Sequence, residues 1–288
     1  MKRKSVVETV LLILALLAGY MAFLVSCESK LIYHPHKYPA GAWDAGSYGV
    51  KAEDVYFQSS DGVKLHGWFV PARGATATLL WFHGNAGNIT HRLDNILRLR
   101  PLNLNIFIFD YRGYGRSQGD PDERGLYVDS IAAYDALVHA KNIAPERLFL
   151  FGRSLGGVCA VEVASQRPAA GLILESAFTN AKDMVGTMFP FLPLGYFVKS
   201  EFDALGKIRA VRIPKLFLHG TEDRVVPYRL GRKLFEAAAE PKEFYDIRGA
   251  GHNDTYIAGG KAYFEALGQF VKQTLAAAQG TRAFPKEL

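Results

Sequence analysis

Cysteine is scarce in this sequence: among 288 residues there are two, Cys27 and Cys159. A disulfide framework of the kind that holds small secreted proteins together is therefore excluded. An apolar core must hold the chain instead, and a chain of this length with 49% hydrophobic residues can bury one. Cys159 lies within an apolar stretch and is expected to be a small residue of that core.

A strong excess of one charge is also missing. The sequence has 34 Lys and Arg residues against 28 Asp and Glu residues, and the basic residues are spread along the chain. This distribution lacks the concentrated basic surface that nucleic acids require, so no nucleic-acid partner is expected. Internal repeats are absent as well. His34 and His36 flank a proline with no further ligand-type residues nearby, so no metal site is expected.

The N-terminus has a separate pattern. Three basic residues precede an uncharged run from Thr9 to Cys27, which at nineteen residues is just long enough to cross a bilayer as a helix. The run ends in Leu-Val-Ser-Cys, which is similar to the lipobox of bacterial lipoproteins, where the cysteine carries the lipid. Residues 1–27 are therefore predicted to be a lipoprotein signal with Cys27 as the lipidation site. An uncleaved signal anchor and a fully cleaved signal peptide are the alternatives.

Either form of attachment makes the membrane a partner of the chain. The basic residues at the start should stay in the cytoplasm, which leaves the rest of the protein on the non-cytoplasmic side. Residues 28–52 are predicted to be an irregular linker from the membrane to the folded domain.

Strands and helices alternate from residue 53 to 279, before a short tail at 280–288. Such alternation is typical of a mostly parallel sheet flanked by helices. The predicted strands lie at 54–58, 64–70, 76–82, 105–111, 147–151, 171–175, 215–219 and 243–247. The predicted helices lie at 88–99, 121–141, 154–167, 228–239 and 255–278.

The stretch 180–211 contains no clear strand and concentrates Met and Phe around two prolines. Because it falls between predicted strands six and seven, we expect a short cap there. Its candidate substrate-pocket residues are Met184, Met188, Phe189 and Phe191, which would form an adaptable wall for an apolar group. The alternative is an ordinary helix pair packed on the domain.

The motif Gly-Arg-Ser-Leu-Gly at residues 152–156 joins the fifth predicted strand directly to a helix. In that place it predicts a sharp turn that raises Ser154 above the sheet, beside a helix N-terminus. The same pattern recurs at 115–119, but Ser117 follows its strand only after a loop. Ser154 is therefore the candidate nucleophile, and Ser117 is expected to be a loop residue.

A serine nucleophile needs a base and an orienting carboxylate. His252 lies on a Gly-rich loop after the last predicted strand, at the sheet edge where open α/β folds bind ligands. Asp223, after the seventh strand, is the candidate carboxylate. Glu175, after the sixth strand, and the adjacent Glu222 are the alternatives.

Two backbone N–H groups are candidates for an oxyanion hole, the site that stabilises negative charge on a reacting carbonyl oxygen. One belongs to Leu155, directly after the serine, and the other to Asn85 in the small-residue loop 83–88. His83, in the same loop, is expected to support its conformation.

These motifs resemble those of the α/β-hydrolases. The resemblance is to the serine aminopeptidase-like and ABHD-type hydrolases, which include protein depalmitoylases and monoacylglycerol-lipase-like enzymes. It extends from about residue 52 to 272 and rests on the segments 83–88, 110–115, 152–157, 219–223 and 251–253. It implies an α/β-hydrolase fold with a mostly parallel eight-stranded sheet, a cap between strands six and seven, and a catalytic triad of Ser154, His252 and Asp223.

The resemblance also implies a reaction. A serine hydrolase of this group cleaves carboxylic esters or thioesters of acyl groups through an acyl-enzyme, so the expected partner is an acylated or other small-molecule substrate and no cofactor is needed. A peptidase or amidase would use the same residues. A catalytically silent binding protein of the same fold is a third alternative, disfavoured by the complete Ser, His and Asp set.

Overall fold

An eight-stranded sheet is the centre of the computed structural model, which describes residues 2–26, 28–189 and 194–282. The strands are β1 (Glu53–Gln58), β2 (Lys64–Val70), β3 (Thr78–Phe82), β4 (Asn105–Asp110), β5 (Leu148–Arg153), β6 (Gly171–Glu175), β7 (Lys215–Gly220) and β8 (Lys242–Ile247). Their order across the sheet is β8-β7-β6-β5-β3-β4-β2-β1. β2 pairs antiparallel with β1 and β4, and the other neighbours pair in parallel. The predicted mostly parallel sheet is therefore confirmed.

Helices connect most of these strands. They are α1 (Lys2–Ser26), α2 (Glu28–Ile32), α3 (Leu93–Leu99), α4 (Glu123–Asp135), α5 (Leu155–Gln166), α6 (Ala181–Met188), α7 (Ala204–Ile208), α8 (Tyr228–Ala237), α9 (Thr255–Ala258) and α10 (Gly260–Arg282). The sequence predicts one helix at 255–278, but the structure divides it. Gly260 has φ 51°, a left-handed conformation that glycine adopts readily, and the chain changes direction there.

Two apolar cores lie on the two faces of the sheet, and the strands alternate between them. In β5, Leu148 and Leu150 belong to one core, whereas Phe149 and Phe151 belong to the other. Since neither face meets water, these strands appear in the sequence as continuous apolar runs. Cys159 is buried in the first core, as expected, and burial raises the pKa of its thiol to about 12.

The segment that the sequence predicts to be an irregular linker, residues 28–52, is instead folded against the domain. His34–Pro35 forms a short parallel strand pair with Ala86–Gly87, in the loop after β3. The carboxylate of Glu28 accepts backbone N–H groups from residues 199 and 200, both at 2.8 Å. The prediction failed because these two sets of partners lie more than fifty residues away, where local composition says nothing about them.

The predicted lipidation site, Cys27, lies outside the described residues. Membrane attachment through the N-terminal segment therefore stays a prediction. Within the described ranges, no helix combines the length and the apolar character that crossing a bilayer requires.

Between β6 and β7 the chain forms short helices. The described residues of this stretch, 180–189 and 194–211, contain α6, a 3₁₀ turn at Leu194–Tyr196 and α7, and no strand. Asn180 begins α6, because its side-chain oxygen accepts the backbone N–H of Asp183 at 2.7 Å. A short helical insertion thus lies in the position predicted for the cap.

Candidate active site

Ser154 occupies the turn between the end of β5 and the start of α5. Its backbone has φ 54° and ψ −121°, a strained conformation for a residue with a side chain. Glycines on both sides make this turn possible. A Cβ atom at Gly152 would lie 2.4 Å from the carbonyl oxygen of Gly156, and one at Gly156 would lie 1.9 Å from that of Phe82. The Gly-x-Ser-x-Gly spacing therefore reflects the space between strand, turn and helix.

Replacing Gly156 by alanine is expected to destabilise the protein by about 3 kcal/mol, because the new methyl group meets a backbone carbonyl that cannot move aside. Urea unfolding of the variant and the unchanged protein measures the loss. Gly186→Ala is the matched control: it lies in α6 with nothing within 4 Å of its Cβ position, and alanine favours helices by about 1 kcal/mol. Equal effects at the two positions would contradict the crowding at Gly156.

Ser154, His252 and Asp223 form a chain of hydrogen bonds. Nε2 of His252 lies 3.1 Å from Oγ of Ser154, and Nδ1 lies 2.7 Å from Oδ2 of Asp223. Because a carboxylate only accepts, Nδ1 carries the proton and Nε2 can accept one from the serine. The three residues follow β5, β8 and β7, whose carboxyl ends share one edge of the sheet. The structure thus brings the predicted nucleophile, base and carboxylate together.

Asp223 is held as an ionised acceptor. Its Oδ1 accepts the backbone N–H groups of Val225 and Val226 at 2.9 and 2.8 Å. Burial opposes the charged form, but the hydrogen bond and the charge interaction with His252 outweigh it and hold the pKa of Asp223 below its usual value. His219 lies nearby, and burial lowers the pKa of its imidazole, so this ring is neutral and donates to the carbonyl of Val226 at 2.9 Å.

The two alternative carboxylates are placed elsewhere. Glu175 is fully buried, where it accepts hydrogen bonds from Arg153 at 2.9 Å and from Thr255 and Tyr263 at 2.5 Å each. Glu222 is exposed to solvent. Of the three carboxylates considered, the structure brings Asp223 to the histidine.

Arg153 is a residue of the site that the sequence analysis missed. Its Nε–H donates to Glu175, while its Nη2 donates to the carbonyl oxygen of His252 and, at 3.1 Å, to Oδ1 of Asn253. One buried guanidinium therefore ties the turn at Ser154 to the loop that carries His252. The sequence did contain a signal for this role of Arg153. A charged side chain inside an apolar strand–turn–helix segment requires a buried carboxylate as its partner.

Arg153→Met is expected to lower the free energy of unfolding by about 3–5 kcal/mol, since it leaves the buried Glu175 carboxylate without its cation. Urea unfolding measures the change. Tyr263→Phe provides the comparison, because it removes one neutral donor from the same carboxylate and should cost about 1–2 kcal/mol. A loss below about 1 kcal/mol for the arginine variant would refute this account of the ion pair.

Ser117, in the second copy of the motif, has a structural role. Its Oγ donates to the carbonyl of Asp110 at 2.6 Å and accepts the backbone N–H of His66 at 3.0 Å. Both contacts are buried, and together they fasten the loop after β4 to β2.

The two predicted oxyanion donors border the serine from different elements. Leu155 is the first residue of α5, and the first N–H groups of a helix have no acceptor within it. The loop after β3 passes close by, since a Cβ on Gly84 would lie 3.6 Å from that of Ser154. In this loop the side-chain amide Nδ2 of Asn85 donates to the carbonyl oxygen of Ile32 at 2.6 Å, and the backbone carbonyl of Asn85 accepts the hydroxyl of Tyr114 at 2.8 Å. His83 is buried and donates to the carbonyl of Gly84 at 2.6 Å, which supports the loop.

A cavity of about 360 Å³ opens above the serine. The side chains that border it include Ser154, His252, His34, His36, His91, Arg92 and Arg153. No acidic residue of the described chain is among those that line it. The imidazoles of His36 and His91 meet edge to face, with ring centroids 5.0 Å apart. His34 and His36 were not predicted at this site, because the strand pair that carries them there is not visible in the sequence.

The residues predicted to form an apolar substrate pocket are not brought to this cavity. Met184 packs half-buried against the first core, whereas Met188 and Phe189 are 64% and 42% exposed. None of these three borders the cavity at Ser154, and Phe191 lies outside the described residues. The wall is formed by the N-terminal segment and the loop after β3, which the sequence analysis did not place beside the serine.

Comparison with known proteins agrees with this architecture. A family profile described as serine aminopeptidase, S33, matches residues 73–202. The chain is 34% identical over 276 residues to Rv2307c of Mycobacterium tuberculosis, covering 95% of this chain and 98% of that protein. It is also 34% identical over 282 residues to the α/β hydrolase domain-containing protein WAV2 of Arabidopsis thaliana, covering 88% and 90%. The Pyrococcus furiosus esterase Pf2001 superposes with a TM-score of 0.70 at 18% identity, covering 84% of this chain and 98% of that one.

The chain therefore belongs to the α/β-hydrolase superfamily, as the resemblance of its motifs predicted. Within that superfamily, the matching profile is the one described as serine aminopeptidase, S33.

Proposed function

We propose that this protein is a serine hydrolase that cleaves carboxylic esters or thioesters of acyl groups. The observation that carries the proposal is the hydrogen-bonded chain from Ser154 through His252 to Asp223, which borders an open cavity. The Pyrococcus furiosus protein of similar fold is an esterase, which agrees with this chemistry.

In the acylation step, Oγ of Ser154 attacks the carbonyl carbon of the substrate while Nε2 of His252 takes the hydroxyl proton. Asp223 keeps Nδ1 protonated and stabilises the imidazolium that forms. The backbone N–H groups of Leu155 and Asn85 are the proposed donors to the oxyanion, and a single donor of this kind typically contributes about 10²–10³ in rate. His252 then gives its proton to the leaving alcohol or thiol, and the acyl group remains on the serine.

In the deacylation step, water takes the place of the leaving group. His252 removes a proton from the water, whose oxygen attacks the acyl carbonyl, and the collapse of the intermediate returns the proton to Ser154. One water is consumed, and one carboxylic acid and one alcohol or thiol are released. Every proton in this cycle moves between the substrate, water, Ser154 and His252.

Three substrates that share the same butyryl group test the proposal: 4-nitrophenyl butyrate, S-phenyl thiobutyrate and the 4-nitroanilide of butyric acid. Turnover of the oxygen ester or the thioester in preference to the anilide is the expected result. A preference for the anilide would move the assignment to an amidase. Labelling with a fluorophosphonate tests the nucleophile without any choice of substrate, and a folded protein that takes neither label nor ester would be a silent binding protein.

A further inference from the structure

The cavity above Ser154 is bordered by an arginine that has no direct carboxylate partner among the described residues. Two guanidinium groups border it, and that of Arg153 is paired with the buried carboxylate of Glu175 at 2.9 Å. The other belongs to Arg92, which forms no salt bridge with any residue in the described ranges. No described acidic side chain lines the cavity, and the buried carboxylates of Asp110 and Glu175 act on Arg92 only without a direct ion pair.

The guanidinium of Arg92 is held in place by the protein. Its Nη2 donates to the carbonyl oxygen of Ala86 at 2.7 Å, in the same loop that carries Asn85. The turn that ends at Arg92 is itself fixed, since the side chain of Asn88 accepts the backbone N–H of Thr90 at 3.1 Å. A half-buried arginine anchored through one nitrogen keeps further N–H donors for a ligand.

The electrostatic surroundings of Arg92 favour the binding of an anion. Burial, followed by repulsion from the Arg153 guanidinium, lowers the pKa of Arg92 to about 10. Arg92 remains protonated at neutral pH, so the folded protein contains a half-buried cation that has lost part of its hydration. An entering anion would offset both the burial and the repulsion.

The rest of the lining is small or polar. Its aliphatic side chains are those of Ala86 and Val225, and the exposed rim has the imidazoles of His34, His36 and His91. A carboxylate or phosphate entering the cavity would meet a planar guanidinium whose N–H donors match its oxygens.

We infer that Arg92 binds an anionic group of the substrate, a carboxylate or a phosphate, close to the bond that Ser154 attacks. The inference rests on the proposed function, because it names the substrate class of the same serine. The preferred substrates are then short anionic esters or thioesters, and the neutral fatty esters of the same length are poorer ones.

Two esters of equal acyl length test this: mono-4-nitrophenyl adipate, which ends in a carboxylate, and 4-nitrophenyl hexanoate, which is neutral. The unchanged protein should have the higher kcat/KM for the adipate at low ionic strength. Arg92→Gln should lower the adipate-to-hexanoate ratio at least about tenfold, and Arg92→Lys, which keeps the charge, should retain part of it. Because both esters are measured on one variant, loss of folded protein cancels in the ratio.

Arg147→Gln is the matched control, with the same change in charge. Arg147 is exposed and directly precedes β5, so it lies at the opposite edge of the sheet from Ser154. The adipate-to-hexanoate ratio of kcat/KM for Arg147→Gln should equal that of the unchanged protein. Inhibition of hexanoate hydrolysis by inorganic phosphate and by adipate then shows which anion the site prefers.

Two results would overturn the inference while leaving the proposed function intact: a preference of the unchanged protein for hexanoate, or an Arg92→Gln variant with an unaltered ratio. If the unchanged protein hydrolyses neither ester, the proposed function fails instead. In that case, calorimetric titration of the unchanged protein and of Arg92→Gln with adipate tests the inference without any turnover. Binding at least tenfold tighter to the unchanged protein than to Arg92→Gln supports it, and equal binding overturns it.

Discussion

Replacement of Ser154 by alanine is expected to abolish fluorophosphonate labelling and to lower kcat for a 4-nitrophenyl ester by roughly 10⁶-fold. The substitution removes the one atom that Nε2 of His252 faces at 3.1 Å. The variant should fold, because the space for the turn depends on Gly152 and Gly156 rather than on the hydroxyl. Steady-state kinetics, labelling and a thermal unfolding curve measured on one preparation check the three statements.

Ser117→Ala is the control for that experiment, since Ser117 lies in the same five-residue pattern. It loses two buried backbone contacts and should cost about 1–3 kcal/mol of stability, yet the variant should still be labelled and active. Labelling that disappears with Ser117 instead of Ser154, or a Ser154→Ala variant that keeps its rate within tenfold of the original, would refute the assignment of the nucleophile.

Asp223→Asn is expected to reduce kcat by about 10⁴-fold with little change in structure. The carboxylate accepts Val225 and Val226 N–H groups through Oδ1, so the amide oxygen of asparagine would keep that position. The amide NH₂ would then face Nδ1 of His252, which would have to accept rather than donate. The proton would move to Nε2, the nitrogen that must receive the serine proton. Kinetics of the variant above the titration range of histidine measure the loss.

Glu222→Gln controls for the change in charge, because Glu222 is the neighbouring carboxylate and is exposed. Its kcat should match that of the unchanged protein. A large loss at Glu222 with a small one at Asp223 would mean that the other carboxylate orients the histidine.

The parts of the fold that the sequence predicted well are those governed by local rules. β2 and β6 have the predicted bounds, because strands buried on both faces are mostly apolar. The turn at Ser154 was equally readable, since a Cβ on Gly156 would collide with the backbone of β3. The residues that obey these constraints stand next to one another in the chain, so the constraints leave a pattern in the sequence.

The parts that it predicted poorly depend on contacts between distant segments. The N-terminal stretch reads as a linker, yet His34–Pro35 pairs with Ala86–Gly87 and borders the cavity. The apolar residues at 184–189 suggested an apolar substrate pocket, but Met188 and Phe189 are exposed and do not border the cavity. Composition shows which side chains are apolar, and it does not show which of them the chain folds beside the serine.

The sequence by itself determined the α/β-hydrolase fold and named Ser154, His252 and Asp223, because each is set by its place after a particular strand. Only the tertiary structure decided which carboxylate meets the histidine and which side chains surround the serine. It placed Arg153 against Glu175, 22 residues later, and against the loop of His252, 99 residues later. It also left Arg92 without a carboxylate in the described chain. Charge pairing depends on distances in space, and in this fold those distances are decided by which strands and loops meet at one edge of the sheet.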